Sequence, residues 1–378
     1  MRASEGKFRV SGANFYSAGT NAYYLQVYQK LNSNVVDTAL DLFAANDVRV
    51  IRIWAFYDGS DCGTLAGEPV IQTAAEVYDE TALTYLDQVV KKIKDRGLYV
   101  ILTAANYWQE LGGVCQYVKW DGFAGAGGHN PTAAEANHFF TSAQIKTWYK
   151  AYLSMLANRV NTATGVAYKD EPVIFSWELM NEARNPGANE SILRDWYQEM
   201  AKYLKSIDTN HMVATGEEGF DEGSPSAYAT TYSNTYFMRA GEGTSYIANT
   251  AIPEIDFAGM HVYPDVFGFN PVGVWAADGS TYITDHAAIA AAAVKPMIVG
   301  EYGSGWNDGW TADSTFKNDV YTTWWSTIEG NASIGADLVW QFTAATKCSE
   351  SGGNICSTRD TTITGLLKDH GARMKAKS

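Results

Sequence analysis

The sequence predicts a (β/α)8 barrel, and three observations carry that expectation. Strand-like and helix-like segments alternate along the 378 residues, giving eight strand candidates. No Gly-rich turn of the dinucleotide-binding kind is present, which leaves the open, doubly wound sheet as the second choice. The longest connections follow strands, as they do on the catalytic face of a barrel. Barrels routinely exceed the usual domain length, so residues 1–378 are expected to form one catalytic domain.

The first strand is expected over residues 14–20. Val35, Val36, Ala39, Leu42 and Phe43 lie near helical spacing, which predicts a helix over 35–45. The run from Val48 to Trp54 is the second strand. A helix over 83–94 stops at Arg96-Gly97, a usual C-terminal signal. The third strand covers 99–105, an amphipathic helix 145–160, the fourth strand 174–181 and a helix 192–207. A short fifth strand at 212–215 and a sixth at 257–261 follow. An alanine-rich helix over 282–294 leads to the seventh strand at 297–301, a helix at 316–328 and the eighth strand at 338–341. A last helix includes 366–374. The connections 57–79, 107–140, 217–253 and 265–281 are long enough to wall a deep cleft.

A net charge of −14 excludes nucleic acid as a partner. No apolar run approaches eighteen residues, so no membrane span is expected. Twelve Trp and twenty-three Tyr exceed the needs of a core, and their flat faces suit the C–H faces of sugar rings. The four cysteines lie in polar, Gly-rich segments. Cys348 and Cys356 bracket a short loop, and Cys62 and Cys115 follow consecutive strands, so two disulfides are expected, with free buried thiols as the alternative. Disulfides imply an oxidising compartment, hence a secreted protein. The segment from Met1 to Gly6 has no apolar stretch, so no signal peptide is expected in the chain as given. No Cys/His spacing indicates a metal, and no cofactor is expected.

Two glutamates carry the chemistry. Glu182 ends the apolar run from Val173, and Glu301 ends the run Met297-Ile298-Val299-Gly300. A carboxylate at the end of a buried strand is costly, and two on distant strands point to one catalytic centre. Other strands deliver Arg52, Asn106, Trp108, Asn181, His261, Tyr263 and Trp340 to the same end. Glycoside cleavage needs this set: a carboxylic acid to protonate the leaving oxygen, and a second carboxylate to attack carbon or activate water. Arg52 is the natural cation for the ionised partner, and Tyr263 a hydrogen-bond donor to it. Asn181 suits the sugar 2-hydroxyl, and Trp340 a stacking floor. Glu217 and Glu218, flanked by glycines, read as a loop shaping the cleft.

The segment Trp177-Glu178-Leu179-Met180-Asn181-Glu182-Ala183-Arg184 resembles the W-E-L-x-N-E-P-R segment of glycoside hydrolase family 5, in particular its β-1,4-mannanases. Further segments agree in order. They are Val50-Ile51-Arg52-Ile53-Trp54, Asn106-Tyr107-Trp108 with Gly112-Gly113, Gly216-Glu217-Glu218-Gly219, His261-Val262-Tyr263-Pro264, Gly300-Glu301-Tyr302-Gly303 and Leu338-Val339-Trp340-Gln341. The resemblance implies a retaining double displacement, with Glu182 as acid/base and Glu301 as nucleophile. It implies that Arg52, Trp54, Asn106, Trp108, Asn181, Arg184, His261, Tyr263 and Trp340 face the substrate, Arg184 on the leaving-group side. The implied substrate is β-1,4-mannan, including gluco- and galactomannan, cut internally by a monomer. Ala183 replaces a usual proline and Tyr107 a common asparagine, both beside the cleft. An exo-acting β-mannosidase, a β-1,4-glucanase and a non-catalytic sugar-binding barrel are the alternatives. Retention requires carboxyl groups about 5–5.5 Å apart.

Overall fold

The computed structural model describes residues 1–63, 67–222, 241–269, 272–303, 315–344 and 354–378. Its centre is an eight-stranded parallel sheet. The strands are β1 Ser17–Asn21, β2 Val48–Trp54, β3 Tyr99–Thr103, β4 Ile174–Glu178, β5 Met212–Ala214, β6 Ala258–Val262, β7 Met297–Tyr302 and β8 Ile334–Val339. Neighbours run in the order β5-β4-β3-β2-β1-β8-β7-β6. The last strand meets the first, with Ala336 opposite Ser17 and Val339 opposite Thr20. At the remaining seam, between β5 and β6, Asp256 N–H donates to Val213 O (2.8 Å) and the Asp256 carboxylate accepts from Val213 N–H (2.7 Å). The sheet is therefore a (β/α)8 barrel, with helices covering its outer face.

Strands covered on both faces read as continuous apolar runs, and β2 is buried at every position except Arg49. The helices are amphipathic and capped. Glu80–Asp95 buries Leu83, Leu86, Val89, Val90 and Ile93; the Asp79 side chain accepts from Ala82 N–H at its start, and Lys92 and Lys94 meet its negative end.

The bottom of the barrel is plugged by an N-terminal element absent from the sequence reading. Arg2–Ser4, Lys7–Val10 and Ala13–Asn14 form a small antiparallel sheet. It inserts Phe8 edge-on against Phe175 and Phe257, with ring centroids 5.0 and 5.3 Å apart. Gly335 makes room for it: a Cβ there would come within 2.2 Å of the Phe8 ring. The expected first strand at 14–20 therefore splits into a hairpin end and β1.

Other boundaries also move. The eighth strand begins at Ile334 rather than 338, and the helix expected from 282 begins at Trp275. Polar Asp278, Ser280 and Thr281 read as loop but lie on the exposed side of that helix, while Trp275, Tyr282 and Ile283 bury the other side. The connection 107–140 carries two helices, Gly113–Trp120 and Ala133–Thr141. The second has a reciprocal cap between Thr132 and Glu135 that the sequence reading passed over.

Cys62 and Cys115 form a disulfide with Cα atoms 6.1 Å apart, tying the loops after β2 and β3. Cys356 is also disulfide-bonded, and its expected partner Cys348 lies outside the described residues. Among the described residues no helix is long and apolar enough to cross a membrane.

The C-terminal helix, Thr361–Ala376, is fastened through a buried histidine. His370 Nδ1 lies 2.6 Å from Glu329 and Nε2 lies 2.9 Å from Asp337. With a carboxylate on each nitrogen the ring is an imidazolium. Burial opposes the charge, but Asp337 and Glu329 outweigh it and hold the imidazole above its ordinary value. Burial likewise opposes ionised Glu329, yet His370 and Arg373 pull its carboxyl down to about 2. A raised His contributes stability below its unfolded pKa of 6.5 and loses it as pH rises through the folded value. The lowered Glu contributes above 4.5 and loses it as pH falls toward 2. His370→Gln should therefore cost about 3–5 kcal/mol, as for a broken buried ion pair. In thermal melts the gap to wild type should be widest between pH 4.5 and 6.5 and narrow at higher pH. A gap independent of pH would exclude the imidazolium.

Candidate active site

The C-terminal ends of the strands converge on a buried arginine. Arg52 in β2 is 1% exposed, a state tolerable only with full pairing. Its Nη1 donates to Glu301 Oε1 at 2.5 Å and to Asn21 Oδ1 at 3.0 Å. Its Nε donates to Glu178 Oε2 at 2.6 Å, and Nη2 to Asn181 Oδ1 at 2.8 Å. Asn181 in turn donates to Asn106 Oδ1 at 3.0 Å. The expected partner of Arg52, Glu301, is thus present, with Glu178 as a second carboxylate. The requirement for a second acceptor was visible in principle, since a guanidinium carries five donors.

Glu301 lies in β7 beside His261 of β6, its register partner. Its Oε2 accepts from Tyr263 OH at 2.6 Å. Glu182 stands after β4 in a left-handed backbone conformation (φ 51°), a strained state for a non-glycine residue and typical of functional positions. Its N–H donates to Gly216 O at 2.8 Å, which fixes the turn. Trp108 Nε1 donates to Glu182 Oε2 at 2.5 Å, and His261 Nδ1 lies 2.7 Å from Glu182 Oε1. One ligand atom each from Glu182, His261 and Glu301 lie within 4.8 Å of one another. These three are the described residues best able to hold a cation, but the Arg52 guanidinium already supplies positive charge beside Glu301.

Burial pushes both carboxyls above the ordinary value. At Glu301 it is opposed by His261, Arg52 and the Tyr263 hydroxyl, and reinforced by Glu182. At Glu182 it is opposed by Arg184, the Trp108 N–H and Arg52, and reinforced by Glu110. Burial also lowers His261, against the pull of Glu301 toward the imidazolium. The two acids titrate as a pair. The ion pair of Arg52 falls on Glu301, which favours the ionised form there over Glu182.

These groups open into a cleft of about 490 Å³ lined by Tyr23, Trp54, Trp108, Glu110, Asn130, Asn181, Glu182, Arg184, Glu218, Tyr263, Val266, Phe267, Glu301 and Trp340. Most expected site residues are therefore in its wall. Asn106 lies behind it, holding Asn181, and His261 is buried between the two acids. Trp340 stacks on Tyr23 with centroids 5.6 Å apart and planes 2° apart, and Tyr23 leans on Trp54 at 4.9 Å. Tyr23 and Asn21 were missed because no polar residue was assigned to the end of the first strand. Glu218 does shape the cleft, as expected, whereas Glu217 lies behind it among Thr215, Thr244 and Asn249, and burial pushes its carboxyl up to about 8.

The model of the GH family 5 β-mannosidase-like proteins matches residues 1–351. Mannan endo-1,4-β-mannosidase 1 of Oryza sativa is 34% identical over 361 residues, covering 90% of this chain and 78% of that protein. Mannan endo-1,4-β-mannosidase A of Aspergillus aculeatus is 32% identical over 385 residues, covering 98% and 89%. The endo-1,4-β-mannanase structure from Rhizomucor miehei superposes with a TM-score of 0.83 at 30% identity, covering 100% of this chain and 99% of that one. With the whole barrel and the sequence alike in register, this chain is a glycoside hydrolase and belongs to family 5, among its β-mannosidase-like members.

Proposed function

We propose that the protein cuts internal β-1,4-mannosidic bonds in mannan, glucomannan and galactomannan by a retaining double displacement. The observation that carries this is the facing pair of acids, with oxygens within 4.8 Å of each other across His261. An approach this close favours the narrow pair of a retaining enzyme over an inverting one, whose carboxyls stand about 6.5–9.5 Å apart.

In this reading Glu301 is the nucleophile. Arg52 and Tyr263 hold its two oxygens, keeping it ionised and aimed. Glu182 is the acid: it gives its proton to the leaving oxygen as Glu301 bonds to the sugar carbon. It then takes a proton from the water that releases the sugar. Asn181, fixed by Arg52 and Asn106, presents its amide to the 2-hydroxyl. Trp340 and Tyr23 form the floor for the reacting sugar. The names of the relatives support mannan as substrate and internal cleavage. The Cys62–Cys115 disulfide supports an extracellular site of action. The acids and their described partners make up one site within one chain, which supports a single catalytic domain.

The test is hydrolysis of mannan, glucomannan and cellulose side by side, with products of mannohexaose sized. Fast mannan cleavage to mixed oligosaccharides is expected. Mannose as the sole product would mean exo action, and preference for cellulose would overturn the substrate.

A further inference from the structure

Among the described residues the Glu182 carboxylate has two hydrogen-bond partners, Trp108 and His261, and both lead to one residue. Glu218 follows β5, and its carboxylate grips Arg184 with two bonds, Oε2 from Nε and Oε1 from Nη2, each 2.5 Å. The Arg184 guanidinium lies over the Trp108 ring at 5.0 Å and over the Phe220 ring at 5.2 Å. Trp108 then donates to Glu182. The main-chain carbonyl of Glu218 accepts from the main-chain N–H of His261 at 3.1 Å, and the His261 ring Nδ1 meets the other oxygen of Glu182. A two-point carboxylate–guanidinium fork fixes geometry as well as charge, and a cation over an indole face pins the ring.

We propose that Glu218 is a positioning residue for Glu182, holding Trp108 through Arg184 and His261 through its own main chain. The inference rests on the reading of Glu182 as acid/base.

The pair also sets the charge around the acid. Glu182 is faced from β2 by Arg52, from the loop after β3 by Glu110 and from its own loop by Arg184. Glu218 faces it after β5, Tyr263 after β6 and Glu301 from β7, with His261 in contact. Arg184 favours loss of its proton. Glu218, itself pushed up to about 7 by burial and by Glu182, repels Glu182 when both are ionised. Glu242 binds Arg184 at 3.0 Å and keeps the guanidinium near when Glu218 is neutralised.

Opposite shifts therefore follow from the two halves of the fork. In kcat/KM against pH on mannohexaose, Glu218→Gln should move the alkaline limb down by about one unit. Arg184→Gln should move it up. Loss of the fork should also lower kcat/KM on mannohexaose by about tenfold, within the range of a disturbed general acid. A 2,4-dinitrophenyl β-mannobioside, whose leaving group needs no proton, should lose much less of its glycosylation rate than mannohexaose does in both variants. Limbs that stay in place, shift in the same direction, or equal losses on both substrates would overturn the inference. If Glu218→Gln does not fold, Arg184→Gln carries the test alone. Should Glu182→Ala spare the dinitrophenyl substrate while both limbs stay in place, only this inference fails. Should Glu182→Ala not spare it, the acid/base reading itself fails.

Discussion

Glu301→Ala is expected to abolish mannan hydrolysis, with kcat reduced by at least about 10⁵-fold, the scale of removing a catalytic nucleophile. Among the described residues, no other oxygen in the cleft has the support that Arg52 and Tyr263 give Glu301. The fold should persist, because Arg52 keeps Glu178, Asn21 and Asn181 as acceptors. Glu301→Gln serves as a control that keeps the volume and one acceptor. Added azide should restore turnover of the dinitrophenyl β-mannobioside in Glu301→Ala. It enters the space left by the carboxylate and forms its bond on the face opposite the departing phenolate, so the product is an α-mannosyl azide. A β-azide, or hydrolysis close to wild type, would mean that Glu301 is not the attacking group.

Glu182→Ala should separate the two steps. On mannohexaose the loss should be about 10²–10⁴-fold, the usual contribution of a general acid. On the dinitrophenyl substrate the first step should stay fast while the second, which needs a base, becomes limiting. A burst of phenolate and accumulation of the glycosyl-enzyme are expected. Azide should now attack that intermediate and give the β-azide, retaining the configuration of the substrate. The alkaline limb of the wild-type profile on mannohexaose should lie above the ordinary Glu value, because burial raises the Glu182 carboxyl and activity requires its proton. That limb should vanish in the variant. A burst-free variant with equal losses on both substrates would reject the acid/base role.

Much of this site was legible in the chain. The apolar runs ending in Glu182 and Glu301 marked strands by their length and composition, and the parallel barrel forces strand ends to one mouth. Arg52, His261, Tyr263 and Trp340 followed from the same rule. Local periodicity failed where long-range packing set the boundary. The strip of polar residues at 278–281 became helix because Trp275 and Tyr282 needed to be buried on the same face. The N-terminal hairpin escaped notice because its strands are two to four residues long, and only Phe8 in the barrel floor gives them a reason to exist. Glu178 was passed over within the same motif as Glu182, since nothing local distinguishes a carboxylate that binds Arg52 from one that faces the cleft.

The sequence alone determined the repeating architecture and pointed to the two glutamates proposed as the acids. Periodicity, strand-end polarity and the ordered motifs are properties of short segments, and they need no knowledge of distance. The tertiary structure decided the electrostatic setting of each acid. That depends on contacts across the barrel: Arg52 on Glu301 rather than Glu182, His261 between the two, and Glu218 behind both partners of Glu182. Charges act over a few ångströms in a buried site, and only the closed barrel brings residues from six separate strand ends within that range.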